Sequence, residues 1–323
     1  MPKIILDTDP GIDDAQAIAF AIAHPDIELL GLTTVFGNAE VDLTTRNALH
    51  ILDVFGQPQI PVARGASDPL KQARYPAPDF VHGKDGLGNV NITQPSGAPV
   101  SENAAEFIVR MANENPSEIT LVAIGPLTNI AQAVDLDPSL PTKVKSLVVM
   151  GGSVSHPGNV TPLAEANFFN DPHAADAVFA HDWPATIIGL DVTLQTVLRD
   201  QDLAMIRDTA GHAGQFLWDT SRFYINFYAS RLARLGSTDR SCAMHDASAL
   251  VYTVLPDAFQ LVAGPTRVVT DGIAAGQLSV DTQQEPYVLP AWTHRPHTAA
   301  AIGVDAPRVL DTFLNTITKH AFH

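Results

Sequence analysis

Short apolar runs recur along the chain, and most are followed by a segment with helical periodicity. Ile4-Ile5-Leu6 precedes a helix expected over residues 13–23, the strand 27–35 precedes a helix over 41–55, and the strand 119–124 precedes a helix over 127–134. Pro61-Val62-Ala63 and residues 144–150 and 185–190 supply further strands, and residues 103–113 and 172–179 further helices. Strands alternating with helices imply one open, mainly parallel β-sheet with helices on both faces, a Rossmann-like α/β fold. Residues 200–235 read as helix, 245–255 as a second helix, and 259–281 as β-hairpin material. No repeat, low-complexity tract or linker interrupts the pattern, so residues 1–323 are expected to form a single domain. In such sheets a ligand sits beyond the carboxyl ends of the strands.

The polar residues gather at those ends. Asp7-Thr-Asp-Pro-Gly-Ile-Asp-Asp14 places four carboxylates within eight residues, just past the first strand. Pro10-Gly11 turns the chain, and Asp13 and Asp14 open a helix, where an acidic side chain gains from the macrodipole. Capping accounts for one aspartate. Four so close repel one another and need a cation or a shared proton. An all-oxygen set favours calcium or magnesium over zinc.

Other strand ends carry matching groups. Asn38 follows the second strand, and Asn159, Glu165 and Asn167 follow the strand that ends at Met150. Amides donate and accept while a carboxylate accepts, a combination suited to vicinal hydroxyls, although each residue alone is ordinary loop polarity. His245-Asp246 opens a helix, where Asp246 fits a cap as well as a ligand. The stretch 67–99, rich in Pro, Gly and Asn, contains His82-Gly-Lys-Asp-Gly-Leu-Gly88 and is too long for an idle turn. Tyr224 and Tyr228 could stack on a base, but aromatic residues at helical spacing also serve as core.

The net charge of −16 at neutral pH makes nucleic-acid polymers and anionic membranes poor partners and suits a small neutral substrate. Cys242 is the single cysteine, so no intrachain disulfide can form and a reducing compartment is expected. No signal-like N-terminus and no apolar stretch of spanning length are visible, and a cytoplasmic location is expected.

Asp7-Thr-Asp-Pro-Gly-Ile-Asp-Asp-Ala15 resembles the N-terminal signature of the inosine-uridine-preferring nucleoside hydrolases. The likeness continues in order through Val35-Phe-Gly-Asn38, His82–Gly88, Leu121-Val-Ala-Ile-Gly-Pro-Leu-Thr-Asn129, Val148-Val-Met-Gly-Gly152, Gly158-Asn-Val-Thr-Pro162, Glu165-Ala-Asn167, His245-Asp246 and Thr270-Asp-Gly272. The resemblance implies hydrolysis of a ribonucleoside to ribose and free base around one calcium ion. It implies Asp9, Asp14, Asp246 and the Ile124 carbonyl as calcium ligands. Asp13, Asn38, Asn159, Glu165 and Asn167 would hold the ribose, with Met150 beside the sugar. Asp9 would be the general base, and His245 or His82 would protonate the leaving base. The two histidines lean the expectation toward pyrimidine nucleosides. A homodimer or homotetramer is implied as well. Ala166 stands where the family often has an aromatic residue, which removes one wall of the pocket unless Phe168 replaces it; Ala247 stands where proline is usual. Two other classes compete: a ribose- or nucleoside-binding protein without catalysis, and a metal-dependent phosphatase that also opens with Asp-x-Asp after a strand.

Overall fold

The computed structural model describes residues 1–90, 92–234, 236–283, 287 and 290–322. Ile4, Ile5 and Leu6 are fully buried. They belong to β1 (Lys3–Thr8), an inner strand of a nine-stranded sheet. Successive side chains point to opposite faces of a strand. Accordingly Ile4 and Leu6 join one apolar core, and Ile5 joins the core on the other side.

The chain runs from β1 through α1 (Ile12–Ala23), β2 (Glu28–Thr34), α2 (Val41–Val54) and β3 (Val62–Arg64). After α3 (Asp79–His82) and α4 (Ala104–Glu114) come β4 (Ile119–Ala123), α5 (Thr128–Leu136), α6 (Leu140–Lys143) and β5 (Ser146–Met150). Next are α7 (Ala166–Asn170), α8 (Pro172–Val178), β6 (Ala185–Ile188), α9 (Leu190–Thr193) and β7 (Val197–Arg199). The chain closes with α10 (Asp200–Thr209), α11 (Gly211–Ala233), β8 (Ser241–Ala243), α12 (His245–Val254), β9 (Phe259–Val268), β10 (Leu278–Val280), β11 (His297–Val304) and α13 (Ala306–Lys319).

The sheet order is β10-β9-β11-β6-β5-β4-β1-β2-β3. The strands from β3 to β11 pair in parallel, and β9 pairs antiparallel with both β11 and β10. From β1 the chain winds outward through β2 to β3, then returns to place β4 on the other side of β1. The strand order therefore reverses between β1 and β4, and a crevice opens past their carboxyl ends. Asp9 follows one of these strands and Ile124 the other.

The open, mainly parallel sheet matches the expectation from sequence, including the antiparallel pairing of β9 and β10. Residues 200–235 do not form one helix. The chain breaks between α10 and α11, where Gly211 takes φ of 60°, a left-handed conformation that glycine adopts without strain. Leu235, the expected end of that helix, lies outside the described residues. Between the strand expected at 144–150 and the helix expected at 172–179 lies α7, which was not expected. The C-terminal β11 and α13 and the small β7–β8 sheet were not expected. No helix among the described residues is long and apolar enough to cross a membrane.

Candidate functional site

Pro10 and Gly11 carry the chain from β1 into α1, and the first turn of that helix brings Asp13 and Asp14 back over Asp9. Asp14 is held from both oxygens. Its Oδ1 accepts from the Thr8 hydroxyl at 2.5 Å and the Asp9 amide at 3.2 Å; its Oδ2 accepts from the Gly11 amide at 2.8 Å. Asn38, on the β2–α2 connection, links two carboxylates. Its backbone N–H donates to Asp9 Oδ2 at 2.8 Å and its side-chain amide to Asp14 Oδ2 at 2.9 Å. The chain passes so close to Asp9 that a Cβ on Gly37 would collide with Oδ2, and one on Gly125 would lie 2.7 Å from Oδ1.

Asp246, in the first turn of α12, completes the group. Asp13, Asp14 and Asp246 can each offer an oxygen within 4.8 Å of the others. Asp9 Oδ1 and Asp13 Oδ1 are buried acceptors with no hydrogen-bond partner. Buried oxygens without donors are costly unless a donor or cation meets them. The donor set of Asp13, Asp14 and Asp246 therefore fits a hard cation; of the expected ligands this group brings together Asp14 and Asp246, with Asp13 in it rather than Asp9, which is joined to Asp14 through Asn38.

Burial is the largest cause of the raised pKa at every one of these acids. Asp13 and Asp14 are pushed up to about 6, with Asp13 adding to the effect on Asp14. Asp9 lies well above the usual range from burial and then the neighbouring Asp14. Asp246 is raised well above it too, from burial and then Asp13, Asp14 and Asp9. Asp7, for which no chemical role was expected, points elsewhere. Its Oδ1 accepts from Thr33 at 2.5 Å and Asn129 at 2.7 Å, tying β1 to β2 and α5, and burial lifts it to about 7.

Above this floor of carboxylates is a cavity of about 410 Å³. Asp13, Asn38, Ile124, Met150, Asn167 and Asp246 line it. Asp9 and Asp14 are not among the residues that line it and sit behind this layer. Asn167 donates to the carbonyls of Ile124 at 2.9 Å and Met150 at 3.1 Å, which fixes its side chain. Glu165 caps α7: its carboxylate accepts from the amides of Asn167, Phe168 and Gly152 at 2.9, 3.2 and 2.8 Å, and burial raises it to about 7. Asn159 is exposed at the rim and accepts from the Ala166 amide at 3.0 Å.

Aromatic residues line the same cavity. Tyr224 donates to Asp13 Oδ2 at 3.1 Å, and Tyr228 contacts His245 Nε2 at 2.8 Å, so both tyrosines line the cavity and also hold polar groups of its wall. His245 Nδ1 meets the Thr193 hydroxyl at 2.7 Å. His82 Nδ1 accepts from the Ile12 amide at 3.3 Å, which leaves the proton of the neutral ring on Nε2. Burial lowers both histidines to about 4, and His82 and Arg231 add to the effect at His245. Both are neutral at pH 7.

Several lining residues were not expected: Tyr75, Phe80, Phe169, Phe227 and Arg231. Phe227 and Arg231 extend the helical stripe of Tyr224 and Tyr228 and were readable at that spacing. Tyr75 and Phe80 come from a loop without periodicity. Phe168 does not restore the wall that Ala166 lacks. It is fully buried against Gly151 and Gly152, and Phe169 lines the cavity instead, 4.7 Å from the Tyr75 ring.

The family model described as inosine-uridine preferring nucleoside hydrolase matches residues 4–311. The probable uridine nucleosidase 1 of Oryza sativa subsp. japonica is 40% identical over 309 residues, covering 95% of this chain and 94% of that protein. Among solved structures, a plant nucleoside hydrolase superposes with a TM-score of 0.94 at 35% identity, covering 98% of this chain and 99% of that one. A purine-preferring ribonucleoside hydrolase from Gardnerella vaginalis gives 0.89 at 34% identity, covering 98% of each chain.

The raised acids set the sign of a pH effect. A carboxyl lifted in the folded state stabilises fully below its unfolded value near 3.8 and loses that contribution as pH rises through its folded value, here about 6 for Asp13 and Asp14 and about 7 for Asp7. A cation that meets the ionised cluster offsets this loss. Millimolar calcium is therefore expected to raise Tm by several degrees at pH 8 and much less at pH 5. Equal shifts at both pH values, read by calorimetry, would exclude this cluster as the cation site.

Proposed function

The chain belongs to the inosine-uridine preferring nucleoside hydrolase family, and we propose that it hydrolyses the N-glycosidic bond of ribonucleosides with calcium bound at the aspartate floor. The observation that carries this reading is the make-up of one cavity, which brings carboxylates and amides suited to a ribose together with aromatic rings and two buried imidazoles suited to a base.

In this reading Asp13, Asn38, Asn159, Glu165 and Asn167 hold the ribose hydroxyls, and Met150 packs beside the sugar. Asp9, Asp14, Asp246 and the Ile124 carbonyl would hold the calcium, which would offset the repulsion among the carboxylates and polarise the oxygens that meet it. A water attacks the anomeric carbon and gives its proton to Asp9, whose Oδ1 is the acceptor left without a partner. The carbon–nitrogen bond breaks, its electron pair leaves with the base, and positive charge grows on the ribose. The buried carboxylates stabilise that charge. His245 donates a proton to the departing base, and His82 is placed to do the same. Burial keeps both rings neutral at pH 7, so each meets the base as an N–H hydrogen-bond donor, and the proton transfer goes through the imidazolium, formed by taking a proton from solvent as negative charge builds on the base. Tyr224 and Tyr228 face the base. We infer a broad specificity that leans toward pyrimidines; the similarity to a uridine nucleosidase supports the lean, and the similarity to a purine-preferring enzyme supports the breadth.

The direct experiment is a reducing-sugar assay on uridine, cytidine, inosine and adenosine. Release of ribose from uridine is expected, lost on chelation and restored by calcium; no release from any of the four, with calcium present, would refute the proposal. Asp9→Asn is expected to lower kcat by about 10²–10⁴-fold, as removal of a general base does. A kcat within a few-fold of the natural enzyme would remove Asp9 from that role. His245→Ala should slow uridine by about 10²-fold or more but change a nitrophenyl riboside little, because that leaving group needs no proton. Equal losses on the two substrates would show that His245 is not the acid.

A further inference from the structure

The segment from Gly151 to Ala166 contributes Asn159, Val160, Glu165 and Ala166 to the cavity, and its first part is fastened by a residue that does not line the cavity. Asp191, in the short helix α9, accepts from the amides of Val154, Ser155 and His156 at 2.7, 2.8 and 3.1 Å, and from the hydroxyls of Ser153 and Ser155 at 3.2 and 3.0 Å. Three successive amides converge on one carboxylate, and hydrogen bonds to a charged acceptor are the stronger kind. The approach is close by construction. The Leu190 amide donates to the Gly152 carbonyl at 3.0 Å, and a Cβ on Gly189 would lie 2.7 Å from that same oxygen.

What Asp191 holds leads straight to polar residues of the cavity. The Gly152 amide donates to Glu165 Oε2 at 2.8 Å. Farther along, Asn159 is joined back to the base of the loop through the Ala166 amide at 3.0 Å, and its own amide donates to the Ala164 carbonyl at 3.2 Å. The loop therefore has two fixed ends and a fixed shoulder: Glu165 at its exit, Gly152 at its entry, and residues 153–156 held by Asp191.

We propose that Asp191 is a positioning residue for ribose recognition, acting through the 153–156 segment to set the placement of Asn159 and Glu165. The proposal rests on the nucleoside-hydrolysis reading for its substrate, but its mechanical content is the hold on one loop. Because the sugar is common to all nucleosides, a loss here weakens every substrate alike, whatever its base.

The test uses the full chain with Asp191→Asn. The variant keeps the size of the side chain but replaces one acceptor oxygen with an NH2 group that faces N–H donors. D-Ribose affinity, measured by calorimetry, is expected to weaken about tenfold, with KM for uridine and for a nitrophenyl riboside rising by the same factor and kcat within about twofold, the pattern of lost uniform binding. Ser153→Ala removes a hydroxyl that bridges Asp191 and the His156 carbonyl, and is expected to give a smaller effect with the same pattern; it carries the test if Asp191→Asn does not fold. Unchanged ribose affinity and KM would overturn the proposal. So would a fall in Tm or kcat with ribose affinity intact, which is the mark of a merely structural role. A natural protein that binds ribose but cleaves no nucleoside refutes the hydrolysis reading and leaves the Asp191 comparison decisive. One that binds no ribose overturns both.

Discussion

The burial of neighbouring carboxylates away from water is the constraint on which the rest of the molecule turns. Asp9, Asp13, Asp14 and Asp246 are each less than a tenth exposed, and each sits above its ordinary pKa because water has been removed from it. Such a group persists only if the surrounding backbone leaves it no escape. Thr8, Gly11 and Asn38 supply that confinement for Asp14, and Asn38 with the tight passage at Gly37 supplies it for Asp9. The oxygens left over, one on Asp9 and one on Asp13, are where chemistry has room to occur.

The fold delivers these groups to one place through its winding. Because β1 lies inside the sheet and the chain departs from it in both directions, the ends of β1 and β4 face a crevice that neither neighbour closes. The β2–α2 connection, the loop after β5 and the start of α12 all reach that crevice from different distances along the chain. The two apolar cores on either face of the sheet hold the strand ends fixed, so the loops inherit a rigid base.

Much of this was legible in the sequence, and for identifiable reasons. The strands from β1 to β6 are short apolar runs, so their parallel winding followed from alternation with helices, whereas β7, β8 and β11 lack that alternation and were not read. Asp13, Asn38, Asn167, Tyr224 and Asp246 share one cavity because each lies at a strand end, at a helix start or on one helical stripe, and His82 reaches it from the end of α3 in the long 67–99 segment. The break at Gly211 was missed because apolar spacing continues across it, and only a backbone angle distinguishes a hinge from a tolerated glycine. Tyr75 and Phe80 were illegible because nothing periodic ties a loop residue to its destination. Asp191 was passed over for a different reason: its partners are mainly backbone amides, and amides leave no mark in a sequence.

The distance along the chain between Asp14 and Asp246, more than 200 residues, has a kinetic meaning. The first carboxylates are joined by a single turn and meet early, but Asp246 reaches them only after the parallel strands between have found their neighbours. Non-local pairings of this kind form slowly and late. The greatest electrostatic cost of the site therefore falls after most of the sheet is in place, on the native side of the folding barrier. A cation that relieves it acts on the same side, so it slows the escape from the folded state far more than it hastens arrival there. An ion held by this cluster would thus act on the lifetime of the native protein.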